Sequence, residues 1–226
     1  MRTALITGAS RGIGAAIATA LAPTHTLLLA GRPSPALQAT AERLGATTLP
    51  LNLTDTDAIP TATAAIAELD VLVHNAGVSF PGRVAESTVD QWRTTFDVNV
   101  IGAVALTLAL LPALRRTHGR VVFINSGSGR NASLGMASYS ASKFALRAFA
   151  DTLRESEPAL RVTTVYPGRA DTDMQRELVA SEGGEYDPDQ FLRPDTVAAA
   201  VVHAVATPPD GHLHEMVLRP AARRPS

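Results

Sequence analysis

The chain has 226 residues, 46% of them apolar, which is enough to bury one sizeable core in a single domain. A formal net charge of -1 at pH 7 argues against a nucleic-acid or membrane-surface partner. The absence of cysteine excludes disulfides and thiolate metal sites.

Few residues separate Met1-Arg2 from Thr7-Gly8, too few for the apolar region of a signal peptide, so a cytoplasmic location is expected. In chain order, the runs Thr3–Thr7, Thr26–Ala30, Thr47–Leu51, Val71–His74, Val121–Asn125, Val162–Tyr166 and Met216–Leu218 read as strands. Most lack polar alternation, the pattern of strands covered on both faces. Between them, Gly12–Leu21, Pro35–Leu44, Thr56–Glu68, Val89–Arg116, Ser138–Ser156 and Pro194–Ala206 read as helices. This rhythm predicts an α/β fold: a single-domain, doubly wound (Rossmann-like) parallel seven-stranded sheet with helices on both faces. The domain is expected over residues 1–220, and 221–226 as a short, basic, disordered tail.

Val89–Arg116 is apolar most of the way round, through Val100, Ile101, Ala103, Val104, Leu106, Leu108 and Leu110. Such a helix must be buried on several sides. One side should meet the sheet; the other meets either the rest of the same chain or a second subunit. Its longest apolar stretch, Val98 to Leu111, is too short to span a bilayer.

Gly8, Gly12 and Gly14 form a G-x-x-x-G-x-G pattern between the first strand and the first helix. Glycine permits a tight turn and close backbone approach, and a helix N-terminus offers free N–H groups to a pyrophosphate. Arg11 lies inside this loop and Arg32 follows the second strand, while no Asp or Glu occurs between Gly8 and Glu42. An acid at the end of that strand suits NAD; arginines there suit the 2′-phosphate of NADP. NADP(H) is therefore expected over NAD(H).

Tyr139 and Lys143 stand four residues apart on a predicted helix, hence on one face. A free phenol, with a pKa near ~10, is a poor base at neutral pH, and a neighbouring ammonium should lower that value. The pair is suited to moving a proton to or from a carbonyl oxygen. Ser126 follows the fifth strand, Asn75-Ala76-Gly77 the fourth and Pro167-Gly168 the sixth, with Asn99 in the long helix.

Together these landmarks resemble the short-chain dehydrogenase/reductase family, in its non-extended, NADP-preferring branch, over almost the whole chain. The resemblance implies Tyr139 as general acid/base, Ser126 holding the substrate oxygen, and Lys143 binding the nicotinamide ribose and tuning Tyr139. It implies that Asn99 holds a water in a proton relay. The cofactor would lie along Gly8, Ser10, Arg11, Gly12, Ile13 and Gly14, then Arg32, Asn52, Leu53, Asn75, Ala76 and Gly77. Tyr139, Lys143, Pro167, Gly168 and Thr172 would complete its contacts. Asn52 stands where the family often has an aspartate, and its amide oxygen would accept the same bond from the adenine.

No metal site is expected. Substrate contacts are sought in Gly127–Met136, at Arg169, and in Met174–Leu192, a flexible-looking stretch that could act as a lid. Arg169 could bind an acidic substrate group, anchor the lid or meet the cofactor phosphates. The implied activity is NADPH-dependent reduction of a small-molecule carbonyl, reversible as an alcohol dehydrogenase. The rivals are a dehydrogenase of a hydroxy acid or polyol, and a non-catalytic NADP-binding sensor or scaffold. A homodimer or homotetramer through the long helix and the Tyr139 helix is also implied.

Overall fold

The computed structural model describes residues 1–221; residues 222–226, where most of the expected tail falls, lie outside the described residues. The strands are β1 (Arg2–Thr7), β2 (His25–Gly31), β3 (Thr47–Pro50), β4 (Val71–His74), β5 (Arg120–Ile124), β6 (Arg161–Pro167) and β7 (Glu215–Leu218). They form one seven-stranded sheet in the order β3-β2-β1-β4-β5-β6-β7. Every neighbouring pair is parallel. The helices are α1 (Gly12–Leu21), α2 (Pro35–Leu44), α3 (Ile59–Thr63), α4 (Val89–Phe96), α5 (Gly102–Thr117), α6 (Ala137–Ser156), α7 (Asp173–Ser181) and α8 (Pro194–Ala206).

Alternate strand residues point to opposite faces, and here both faces are apolar. Ala4, Ile6, Val71, Val73, Val122 and Ile124 join Ile17 and Leu21 of α1 and Val197 and Val201 of α8 in one core. Leu5, Leu72, Val121 and Phe123 point the other way, against Leu106 and Leu110 of α5 and Leu146 of α6. Each fully buried Leu or Phe contributes about 1.5–3 kcal/mol. That two-sided burial is why the strands carry no polar alternation.

Helix ends follow local chemistry. At the start of α2, Ser34 Oγ accepts from the Leu37 N–H at 3.2 Å and Pro35 occupies the first turn. Gly45, with φ 61°, closes the same helix in the left-handed conformation.

Three predicted elements differ. The helix expected over Thr56–Glu68 shrinks to α3, because Pro60 fixes a helix start there and Thr63 Oγ1 bonds back to the Ile59 carbonyl at 2.8 Å. The stretch expected as a flexible lid contains α7, whose start Thr172 caps by accepting from the Gln175 N–H at 3.3 Å. The long helix is continuous over Val89–Thr117 but is wound as a π turn at Asp97–Ile101, between α4 and α5. By length and composition it could cross a membrane, yet 50% of its most apolar window is buried inside the protein, as in a core helix. Its inner side meets the sheet, while Ile101 and Leu108 are exposed, at 48% and 62%.

Candidate active site

From β1 the chain builds outward to β2 and β3, then returns to place β4 on the other side of β1. Connections therefore diverge at the carboxyl ends of β1 and β4, where open α/β sheets form a ligand crevice. Thr7 and Asn75 clasp the two ends together. Thr7 Oγ1 donates to the Val73 carbonyl at 3.2 Å and accepts from the N–H groups of Asn75 and Ala76, each at 3.0 Å. Asn75 Nδ2 donates to the carbonyls of Thr7 and Gly8, at 3.0 and 3.1 Å. The glycines are sterically required within this clasp. Gly8 has φ +67° with the Ala76 backbone against it, and a methyl on Gly14 would overlap the Gly8 carbonyl and Asn75 Nδ2.

At the start of α1, Arg11 makes no side-chain cap and the first turn carries no acid. The leading N–H groups of the helix therefore face the crevice without a carboxylate to occupy them, a setting that favours an anion. Ser10 offers its carbonyl to Thr40 Oγ1 at 3.4 Å, and Ile13 packs on the core beneath. Arg11 pairs with Asp173 at 3.3 Å, while Arg32 is exposed just beyond β2. Asn52 Oδ1 already accepts from Thr54 N and Thr54 Oγ1, at 3.3 and 3.0 Å, so this turn engages the oxygen expected to meet an adenine amine. Leu53 packs against Gly102 at the start of α5.

The chemical end converges on α6. Tyr139 has the Ser126 side chain beside it. One helical turn on, Lys143 Nζ lies 5.6 Å from the centre of the Tyr139 ring. Lys143 is buried and donates to the Ile124 carbonyl at 3.0 Å. Desolvation lowers its pKa to about 8. The phenol moves opposite to the sequence-based expectation: burial raises its pKa, and the neighbouring Ser126 side chain works against that rise. Burial is the larger effect, and it disfavours the charged form of Lys143 too.

Asn99, in the π turn, is 1% exposed. Its Nδ2 donates to the Val78 carbonyl and to Ser142 Oγ, both at 3.0 Å, and its Oδ1 accepts from the Val78 N–H at 2.8 Å. The side chain thus braces the loop after β4 against α6. A methyl on Gly77 would sit 3.2 Å from Asn99 Oδ1 and 3.8 Å from Lys143 Nζ, so a side chain here would press on both groups.

Pro167 ends β6 beside Leu218, and the Gly168 N–H donates to the Leu218 carbonyl at 2.8 Å. Thr172 faces Gly12 across the crevice. Of the alternatives for Arg169, its contacts are those of an anchor for the 174–192 stretch. It bonds Glu182 at 2.7 Å, and its guanidinium lies 5.4 Å from the Phe191 ring centre. With the Gln175 amide oxygen turned toward it, Gln175 accepts from Arg169 at 2.6 and 2.8 Å. Arg130 stacks over the Tyr166 ring, and Leu134 is 97% exposed at a loop tip. Among the described residues, no group of three or more His, Asp or Glu could hold a metal ion.

Two positions escaped the sequence reading. Asn125 Nδ2 donates to the Lys143 carbonyl at 3.0 Å, and its Oδ1 accepts from the Ser126 N–H at 2.8 Å, tying Ser126 to α6. Asp173 meets Arg11 through a turn that sequence reads only as loop. Asn125 could have been singled out as a polar residue closing an apolar strand; Asp173 carried no such signal.

Residues 2–183 match the sequence profile described as short chain dehydrogenase. The chain is 34% identical to "Glycine betaine reductase ATRR" of Emericella nidulans over 97% of its own length, but spans only 19% of that protein. It is 30% identical to an "Uncharacterized oxidoreductase" of Staphylococcus epidermidis, covering 97% of both chains. Among solved structures, the alcohol dehydrogenase of the archaeon Thermococcus sibiricus complexed with 5-hydroxy-NADP superposes with TM-score 0.89 and 29% identity, over 100% of this chain and 99% of that one. A metagenomic short-chain oxidoreductase in complex with NADP gives TM-score 0.82 and 28% identity, over 98% of each chain. A parallel sheet opening between β1 and β4, and sequence likeness along almost all of it, thus have one explanation: the chain belongs to the short-chain dehydrogenase/reductase family of oxidoreductases.

Proposed function

We propose that the protein is an NADPH-dependent reductase of a small-molecule carbonyl, reversible as an alcohol dehydrogenase. The observation that carries this reading is the convergence of Tyr139 with Ser126 beside it and a buried lysine one helical turn on, its Nζ 5.6 Å from the phenol ring centre. Binding a nucleotide alone requires no such arrangement. The uncapped start of α1 fits a pyrophosphate, and Arg11 and Arg32 suit a 2′-phosphate. Two structural relatives are complexed with 5-hydroxy-NADP and NADP, which supports the same cofactor here.

When bound, the nicotinamide supplies the hydride. Ser126 and Tyr139 hold the substrate oxygen by hydrogen bonds, stabilising negative charge as it develops there. Tyr139 then transfers its phenolic proton to that oxygen; burial keeps this proton in place at neutral pH, as an acid requires. Lys143 places a positive charge beside the phenol and would hold the nicotinamide ribose. The lack of a side chain at Gly77 leaves room beside Lys143 Nζ. Ile101 and Leu108 on the long helix and Phe144 on α6 supply apolar surface for a second copy of the chain.

A panel of aldehydes, ketones and 2-oxo acids, read by loss of NADPH absorbance, tests the reading. Turnover of one class above the others supports it. Oxidation of hydroxy acids or polyols without measurable reduction points to a dehydrogenase. Tight NADPH binding with no turnover across the panel points to a sensor. Light scattering that gives a monomer overturns the assembly.

A further inference from the structure

The first turn of α7 is seated on the glycine loop. A methyl on Gly12 would lie 3.2 Å from Thr172 Cγ2. Beside this contact, Arg11 Nη1 reaches Asp173 Oδ2 at 3.3 Å, with side chains 72% and 50% exposed. Arg11 thus leans away from the second strand and toward the opposite wall of the crevice. Among the described residues, Asp173 is the carboxylate with which it pairs.

Asp173 does not depend on Arg11. Its Oδ1 also accepts from Arg176 Nη1 at 3.4 Å, and a carboxylate in the first turn of α7 is favoured by the helix dipole. Losing Arg11 would leave Asp173 with both supports. The carboxylate therefore competes for a guanidinium that it can release at little cost.

We propose that Asp173 is a specificity-determining residue that sets the preference for NADPH over NADH by competing with the cofactor's 2′-phosphate for Arg11. This rests on the reading that Arg11 recognises that phosphate. Exchanging one anion for another at an exposed guanidinium is worth a modest factor, because such pairs are well screened. The effect falls on NADPH more than on NADH, which lacks the 2′-phosphate.

The test is equilibrium titration of NADPH and NADH into the wild type, Asp173→Asn, Asp173→Glu, Arg11→Gln and the Arg11→Gln/Asp173→Asn double variant. Asp173→Asn should tighten NADPH by about two- to fivefold relative to NADH, and Asp173→Glu, which keeps the charge, should behave as wild type. Arg11→Gln should weaken NADPH relative to NADH and cancel the effect of Asp173→Asn in the double variant. If Arg11→Gln lowers the preference but Asp173→Asn shifts both cofactors equally, or neither, the role of Asp173 is overturned and that of Arg11 stands. If Asp173→Glu matches Asp173→Asn, packing rather than charge is responsible, and the proposal fails. If Arg11→Gln leaves the preference unchanged, the reading of Arg11 itself falls.

Discussion

Asn99 grips Val78 from both sides, accepting its N–H at 2.8 Å and donating to its carbonyl at 3.0 Å. The third bond, to Ser142 Oγ at 3.0 Å, ties the same side chain to α6. One amide thus joins the π turn, the loop after β4 and the helix that carries Tyr139. Removing one partner of a buried hydrogen bond costs about 1–3 kcal/mol for each group left unsatisfied. Asn99→Ala is expected to lower the thermal midpoint by several degrees and to reduce kcat, read by calorimetry and steady-state assay. An unchanged midpoint would show that Val78 finds other partners.

Tyr139→Phe keeps the ring and removes the proton that the proposed chemistry transfers. Turnover should fall by about 10²–10⁴-fold, while NADPH titration and thermal melting stay close to wild type. Retained turnover would mean that another group protonates the oxygen.

Lys143 gives the activity an alkaline limit. With its pKa drawn down to about 8, the ammonium loses its charge above that pH, and with it the support for Tyr139 and the ribose. For the reductive direction, kcat/KM is expected to decline above about pH 8. Lys143→Arg remains charged throughout that range, so whatever activity it retains should lack this limb. A limb unmoved in the arginine variant would assign it to a different group.

His74 gives the fold an acid limit. It is fully enclosed, its Nε2 lies 2.8 Å from Thr107 Oγ1, and its ring stacks on Phe123 with centroids 4.8 Å apart. Burial lowers its pKa to about 3, against 6.5 for the ordinary side chain. Between those values the unfolded chain binds a proton that the folded chain refuses. Its contribution to stability is thus complete above pH 6.5 and is lost as the pH falls toward 3. The slope reaches at most about 1.4 kcal/mol per pH unit for this one group. Urea unfolding between these limits should show a shallower pH dependence in His74→Asn than in the wild type. Equal slopes would place the acid sensitivity elsewhere.

The sheet was legible in the sequence because each strand is an apolar run set off by glycine, proline or asparagine, and burial on both faces suppresses alternation. Ser126, Tyr139 and Lys143 were legible as a group because they follow strand ends or share a helix face. Side-chain commitments were not. That Asn99 spends its amide on Val78, that Asn52 turns inward to Thr54, and that Arg169 is held by Glu182 depend on where loops distant in sequence meet. The sign of the Tyr139 shift failed for a related reason: the four-residue spacing places Lys143 nearby but does not show how deeply the phenol is buried, and burial favours its neutral form. The helix expected over Thr56–Glu68 failed locally, where Pro60 and Thr63 outweighed the apolar spacing.

The widened turn at Asp97–Ile101 makes residue number, more than residue identity, the constrained property of the long helix. Each residue in a regular helix advances by about 100°. A one-residue deletion that restored uniform winding would therefore swing Trp92 and Thr95 a quarter-turn relative to the half packed on the sheet. Thr95, whose hydroxyl lies 3.4 Å from Ser138 Oγ, would lose α6 even though no contact residue had been altered. Variation here should consequently proceed by substitution at fixed length.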